Sequence, residues 1–71
     1  MKNYFLNKNA QSNGDHEVHT EDCSYIPDPG NRIFLGTFES CHEAVKEAMR
    51  KYPQYTRING CYYCSITCHT S

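Results

Sequence analysis

Five cysteines and four histidines stand in this 71-residue chain, and their spacing suggests one kind of chemistry before any other. Cys61-x2-Cys64, with Gly60 just before it, places two thiols where a tight turn can aim both at one ion. The amides of such a turn also donate hydrogen bonds to sulfur. Zinc takes four nitrogen or sulfur ligands in a tetrahedron, so one pair calls for a second. His19-x3-Cys23 supplies it, and the expected ligand set is His19, Cys23, Cys61 and Cys64. Cys68 and His69 are rivals to His19 for the fourth place, because Cys64-x3-Cys68 can fold back over a short turn. His16 faces away from His19 if the segment is a strand, since successive strand residues alternate. Cys41 falls on the apolar stripe of a helix and reads as a small core residue. His42, on the solvent side of that helix, reads as inert.

Other chemistries fit the same residues less well. A redox-active Cys-x-x-Cys of the thioredoxin kind opens a helix within a βαβ unit, whereas this one follows the helix, near the end of the chain. Glu17, Glu21 and Asp22 gather beside the first ligand pair and read as a solvated acidic edge. A catalytic zinc keeps an open position for water, while this set has enough nitrogen and sulfur to close the shell. The expectation is a structural zinc and no enzyme. An odd number of cysteines leaves one thiol over from any closed disulfide framework. With no apolar run for a secretion signal, a cytoplasmic location is expected, where paired cysteines more often bind metal than each other.

The elements that must position these ligands are few. Tyr4-Phe5-Leu6 is an apolar patch, and Asn7 to Gly14 reads as a loop, leaving residues 1–15 as a flexible lead or an edge strand. His16–Thr20 is a short strand. Pro27-Asp28-Pro29-Gly30-Asn31 is a break, and Arg32–Phe38 is the clearest strand, rich in β-branched and aromatic residues. The pattern Ser40-x-x-Glu43 predicts a capping box opening a helix over about 40–52. Cys41, Ala44, Val45, Ala48, Met49 and Tyr52 recur at helical spacing, and Pro53 ends the run. The fold class expected is α+β: a two- or three-stranded antiparallel sheet with one amphipathic helix, a single small domain over 1–71.

Composition explains why such a unit needs a staple. Hydrophobic residues are 38% of the chain, and tyrosine and cysteine supply much of that fraction. A domain of this size is marginal on core burial alone. A net charge of −1 removes the general electrostatic case for nucleic acid, and no apolar run is long enough to span a membrane. Arg50, Lys51 and Arg57 lie near Tyr52, Tyr55, Tyr62 and Tyr63, a mixture of cations and aromatics that can bind single strands by stacking and phosphate contact. The same tyrosines can instead build the surroundings of a metal.

Val18-His19-Thr20-Glu21-Asp22-Cys23, then Asn31-Arg32-Ile33-Phe34, then Phe38-Glu39-Ser40 with Glu43-Ala44, then Cys61-x2-Cys64, resembles the small metal-binding domain of the Ada DNA-repair protein. It is also similar to related zinc modules appended to some bacterial nucleases. The resemblance spans about residues 16 to 64. It implies an α+β zinc domain bound by the same four ligands. In the repair family the first cysteine of the four is also the acceptor of a methyl group from a DNA phosphotriester. His19 stands there in this chain, and an imidazole is no thiolate acceptor, so the resemblance implies a structural or binding role without alkyl transfer. Two departures bear on partners: the stretch from Ala48 to Cys61 is longer than the family's connection, and Tyr62 and Tyr63 replace basic residues around the last pair. A protein partner is the first expectation, and a nucleic-acid-binding accessory domain the alternative.

Overall fold

The computed structural model describes residues 1–69. The elements run β1 (Lys2–Asn7), β2 (His16–Thr20), β3 (Arg32–Phe38), α1 (Cys41–Lys51) and β4 (Ile58–Gly60), with short 3-10 turns at Pro29–Asn31 and Ile66–Cys68. The α+β class holds. The sheet differs from expectation: it has four strands in the order β3-β1-β2-β4, and it is mixed rather than antiparallel. β1 pairs antiparallel with β2 and with β3, while β4 pairs parallel with β2.

β1 is neither a flexible lead nor an edge strand, but lies between β2 and β3. Its alternation explains this. Tyr4 and Leu6 are buried on the helix side, and Phe5 packs at a tilt against Phe34 on the other face. A one-residue bulge follows Tyr4, so Leu35 is the extra residue on β3 and turns into the core. Gly36 absorbs the irregularity with φ +136°, and a Cβ there would come within 3.0 Å of the Phe38 ring.

The core lies between the sheet and α1. Leu6, Val18, Leu35 and Tyr4 meet Cys41, Ala44 and Ala48 of the helix. Alanines one turn apart bring the helix axis close to the strands. Ser40 occupies the N-cap position as expected, yet its side chain makes no capping hydrogen bond, so the capping box is not formed. The helix spans Cys41–Lys51, and Tyr52 closes it with its backbone N–H on the Ala48 carbonyl.

Parallel neighbours cannot be joined by a hairpin and need a long crossover. Between β2 and β4 that crossover contains β3 and α1. Its outcome matters for the site: the register pairs His16 with Ile58 and Val18 with Gly60, and Cys61 N donates to the Val18 carbonyl at 3.0 Å. The Cys-x2-Cys turn therefore begins directly beside His19. Asp15 anchors the start of this pairing, accepting from Arg57 Nε at 2.9 Å and Asn59 Nδ2 at 3.3 Å.

Candidate metal centre

His19, Cys23, Cys61 and Cys64 converge at the end of the β2–β4 ladder, with one ligand atom from each within 4.8 Å of all the others. Two strands and two turns bring them there. His19 is held in β2, paired with Phe5, and Cys23 follows on a turn closed by its N–H on the Thr20 carbonyl at 3.2 Å. Cys61 directly follows β4, and the turn it opens returns Ser65 N to the Cys61 carbonyl at 2.9 Å. Gly60 makes that return possible. A Cβ on it would lie 2.5 Å from Cys68 Cβ and 2.6 Å from the Ser65 carbonyl oxygen.

The donor set fits a tetrahedral ion. Ligands about 2.3 Å from a common centre sit roughly 3.8 Å apart along the edges of a tetrahedron. Cys23 Sγ and Cys61 Sγ are 3.9 Å apart, and Cys64 Sγ and His19 Nδ1 are 3.8 Å apart. His19, Cys23 and Cys61 are buried, and Cys64 is half-buried. His19 Nδ1 faces the sulfurs while its buried Nε2 has no hydrogen-bond partner; the Glu17 carboxylate is the nearest counter-group, at 3.6 Å. A ligating imidazole usually donates its other N–H to a carboxylate or carbonyl, which fixes the tautomer. Glu17 is placed for that part, a role its position in the acidic cluster did not reveal. Its neighbours are otherwise engaged, Glu21 with Asn3 and Asp22 with Thr20 and Lys2.

Burial and mutual contact shift the three thiols in different directions. Burial pushes Cys23 up to about 12, and the neighbouring Cys64 adds to the effect. Burial raises Cys61 as well. Burial also opposes ionisation of Cys64, but hydrogen bonds from His19, Cys23 and the Thr20 amide outweigh it and hold that thiol down to about 6. The Thr20 N–H lies 3.4 Å from Cys64 Sγ. One thiolate is thus favoured and two further ones are resisted. A divalent cation reverses that balance, since its charge stabilises all three.

The rivals for the fourth ligand are placed elsewhere. His69 Nδ1 donates to the Gly60 carbonyl at 3.1 Å. Cys68 is disulfide-bonded to Cys41, across 27 residues of sequence. This corrects the reading of Cys41 as a core thiol: it is buried as expected, but its sulfur is covalently paired. The odd count resolves into three clustered thiols and one bond. Helical spacing explains the burial of Cys41 and carries no sign of a partner in the tail. His16 turns from the cluster, bonded to the Asn7 carbonyl and stacked on Tyr55.

Beside the cluster is a cavity of about 360 Å³, lined by Cys23, Cys64, Tyr25, Tyr63, Lys2 and Asp22 among others. Tyr25 and Tyr63 stack at 4.2 Å, and Tyr62 meets Tyr63 edge-on; all three are exposed. The cations near the other tyrosines are already engaged. Arg50 and Lys51 both pair with Glu47, and Arg57 with Asp15. Among the described residues no helix is long and apolar enough to cross a membrane.

The fold and site define a class: a small α+β unit whose sheet end carries a Cys3His set able to hold a metal ion. No protein-family model matches the chain, and no curated protein or solved structure matches it significantly.

Proposed function

We propose that this chain is a non-catalytic zinc module in which His19, Cys23, Cys61 and Cys64 hold one structural ion and the exposed tyrosines beside it meet a protein partner. The observation that carries the reading is the closed, largely buried set of one nitrogen and three sulfurs at tetrahedral spacing. Four protein ligands leave no position for a substrate or water. The order of ligand pair, strand, helix and Cys-x2-Cys is also that of the Ada-type modules, with His19 in place of the acceptor cysteine. A cytosolic location belongs to the same proposal, because a reducing compartment preserves the three ligand thiols.

Metal analysis by native mass spectrometry tests it. One zinc per chain is expected, removed by chelator and absent from Cys23→Ser, Cys61→Ser and Cys64→Ser, while Cys41→Ala still takes up zinc. Zinc retained by Cys23→Ser and lost from Cys41→Ala would refute the ligand set. The partner surface is tested separately: Tyr25→Ala/Tyr63→Ala should keep its zinc and lose retention of the partner.

A second reading, a nucleic-acid accessory domain, is favoured by the Tyr25–Tyr63 stack, which offers an aromatic platform to an unpaired base. Pairing of Arg50, Lys51 and Arg57 with carboxylates leaves it few phosphate contacts. Binding of DNA is expected to be feeble and to vanish at moderate salt.

A further inference from the structure

We infer that the Cys41–Cys68 bond is a redox-operated latch on the metal centre: closed, it holds the ligand-bearing lap, residues 61–68, against the helix and tightens metal binding; open, it slackens the lap and weakens it. The inference rests on the zinc reading of His19, Cys23, Cys61 and Cys64. Three observations lead to it. Cys41 is the first residue of α1 and is set in the core cluster. Cys68 lies four residues beyond the ligand Cys64, in the turn whose Cβ occupies the space left by Gly60. Hydrogen bonds Ser65 N to Cys61 O and Cys68 N to Ser65 O lie within the lap itself, so they shape it without tying it to α1. The covalent tie to the helix is the Cys41–Cys68 bond, and Thr67 Oγ1 sits 3.3 Å from Cys41 Sγ at the same junction.

An opened latch leaves the Cys61–Cys64 turn with more conformations to lose when an ion binds, which lowers affinity without removing a ligand. Disulfides of proteins in reducing compartments are characteristically transient, so the device suits a switch. It operates by thiol–disulfide exchange with a low-molecular-weight thiol such as glutathione. One glutathione thiolate attacks a sulfur of the bond, forms a mixed disulfide and expels the other cysteine as a thiolate, which takes a proton. A second glutathione then displaces the first as glutathione disulfide, and the remaining cysteine is protonated. Two electrons pass from the glutathione pair to the protein, and the reverse sequence closes the latch. Linkage makes the coupling reciprocal: zinc must protect the closed bond by the factor by which the bond tightens zinc.

The test is zinc affinity, read by competition with a chromogenic chelator, on the closed protein and on the same protein opened by a phosphine. Opening should weaken zinc about tenfold, the lower end of what loss of outer-shell support does to metal sites. Cys41→Ser should show the weaker value with or without reductant. If that variant does not fold, the wild-type comparison decides, together with the glutathione ratio at half-opening, which zinc should shift toward retention of the bond by the same factor. Equal affinity in the two states, tighter binding when open, or no zinc effect on the glutathione ratio would overturn the latch and leave the zinc reading standing. Failure of the closed wild type to bind zinc at all would overturn both.

Discussion

At the level of single residues, the convergence of the four Cys and His side chains was readable because metal chemistry restricts both residue type and spacing. His19-x3-Cys23 and Cys61-x2-Cys64 announce themselves in the sequence, and the structure brings all four together. What could not be read were the groups that act by proximity alone. Glu17 reaches His19 Nε2, and Cys41 finds Cys68, through contacts between distant or ordinary-looking positions. Glu17→Ala should leave the fold intact and weaken zinc about tenfold, since it removes the carboxylate 3.6 Å from His19 Nε2; chelator competition measures it. The pH dependence follows from Cys64. Its thiol is depressed to about 6, below the ordinary thiol value, so the folded protein favours the thiolate. A depressed acid contributes stability at pH above its unfolded value, and the contribution is lost as pH falls through the folded value. Zinc must displace protons from Cys23 and Cys61 at neutral pH and from Cys64 as well below about pH 6, so its affinity is expected to fall with acid and to fall more steeply below that point. Release followed against pH by a chromogenic chelator checks this, and retention unchanged well below that point would contradict it.

Among the elements, those with a complete local signature were legible and those defined by their neighbours were not. β3 and β2 have the boundaries their sequences imply, and α1 lies within one residue of its predicted ends. β1 was obscured by the shortness of its apolar patch and by the polar run from Asn7 that reads as loop, although Tyr4 and Leu6 face the core between two other strands. β4, three residues long and parallel to β2, has no periodicity to detect and exists by virtue of its register with His16–Val18. Ser40 shows the opposite error, a motif present in sequence and idle in the structure. Replacing an engaged N-cap serine costs about 1 kcal/mol, whereas Ser40→Ala is expected to cost only a few tenths of that in urea denaturation, because no capping hydrogen bond is lost. Gly60→Ala should behave very differently. Its new methyl meets Cys68 Cβ and the Ser65 carbonyl, neither of which is the end of a flexible chain. Overpacking of this kind costs about 1–3 kcal/mol, and the displaced lap carries Cys64 with it. The urea midpoint and the zinc affinity should fall together; a change in neither would mean the lap does not fold back as described.

For the molecule as a whole, the disulfide and the proposed zinc centre bear on a small core, and they join different parts of it. The buried apolar cluster between sheet and helix contains Tyr4, a single leucine from each of β1 and β3, one valine and small helix residues, so burial alone leaves the fold marginal. The Cys3His set brings together side chains from the end of β2 and the turn after it with others from the turn that follows β4, the shortest strand of the sheet. The disulfide joins the start of α1 to the lap beyond β4. Zinc binding in small domains is worth on the order of 10 kcal/mol, comparable to their entire stability. A disulfide closing a loop of this size contributes about 3–4 kcal/mol. The two should therefore be removable in one order and not the other. Reductant alone is expected to leave the amide spectrum folded, with changes confined to the lap and the start of α1. Chelator alone should detach the Cys23 loop and β4, and with them the crossover that seats α1, collapsing the spectrum toward that of an unfolded chain even with the disulfide closed. Zinc added at neutral pH should restore the folded spectrum. If chelator leaves the spectrum unchanged while reductant collapses it, the disulfide is the dominant staple and the energetic ordering is reversed. If neither agent changes it, the cluster around Leu6, Val18 and Leu35 holds the fold unaided, and the Cys3His set serves a purpose other than stability.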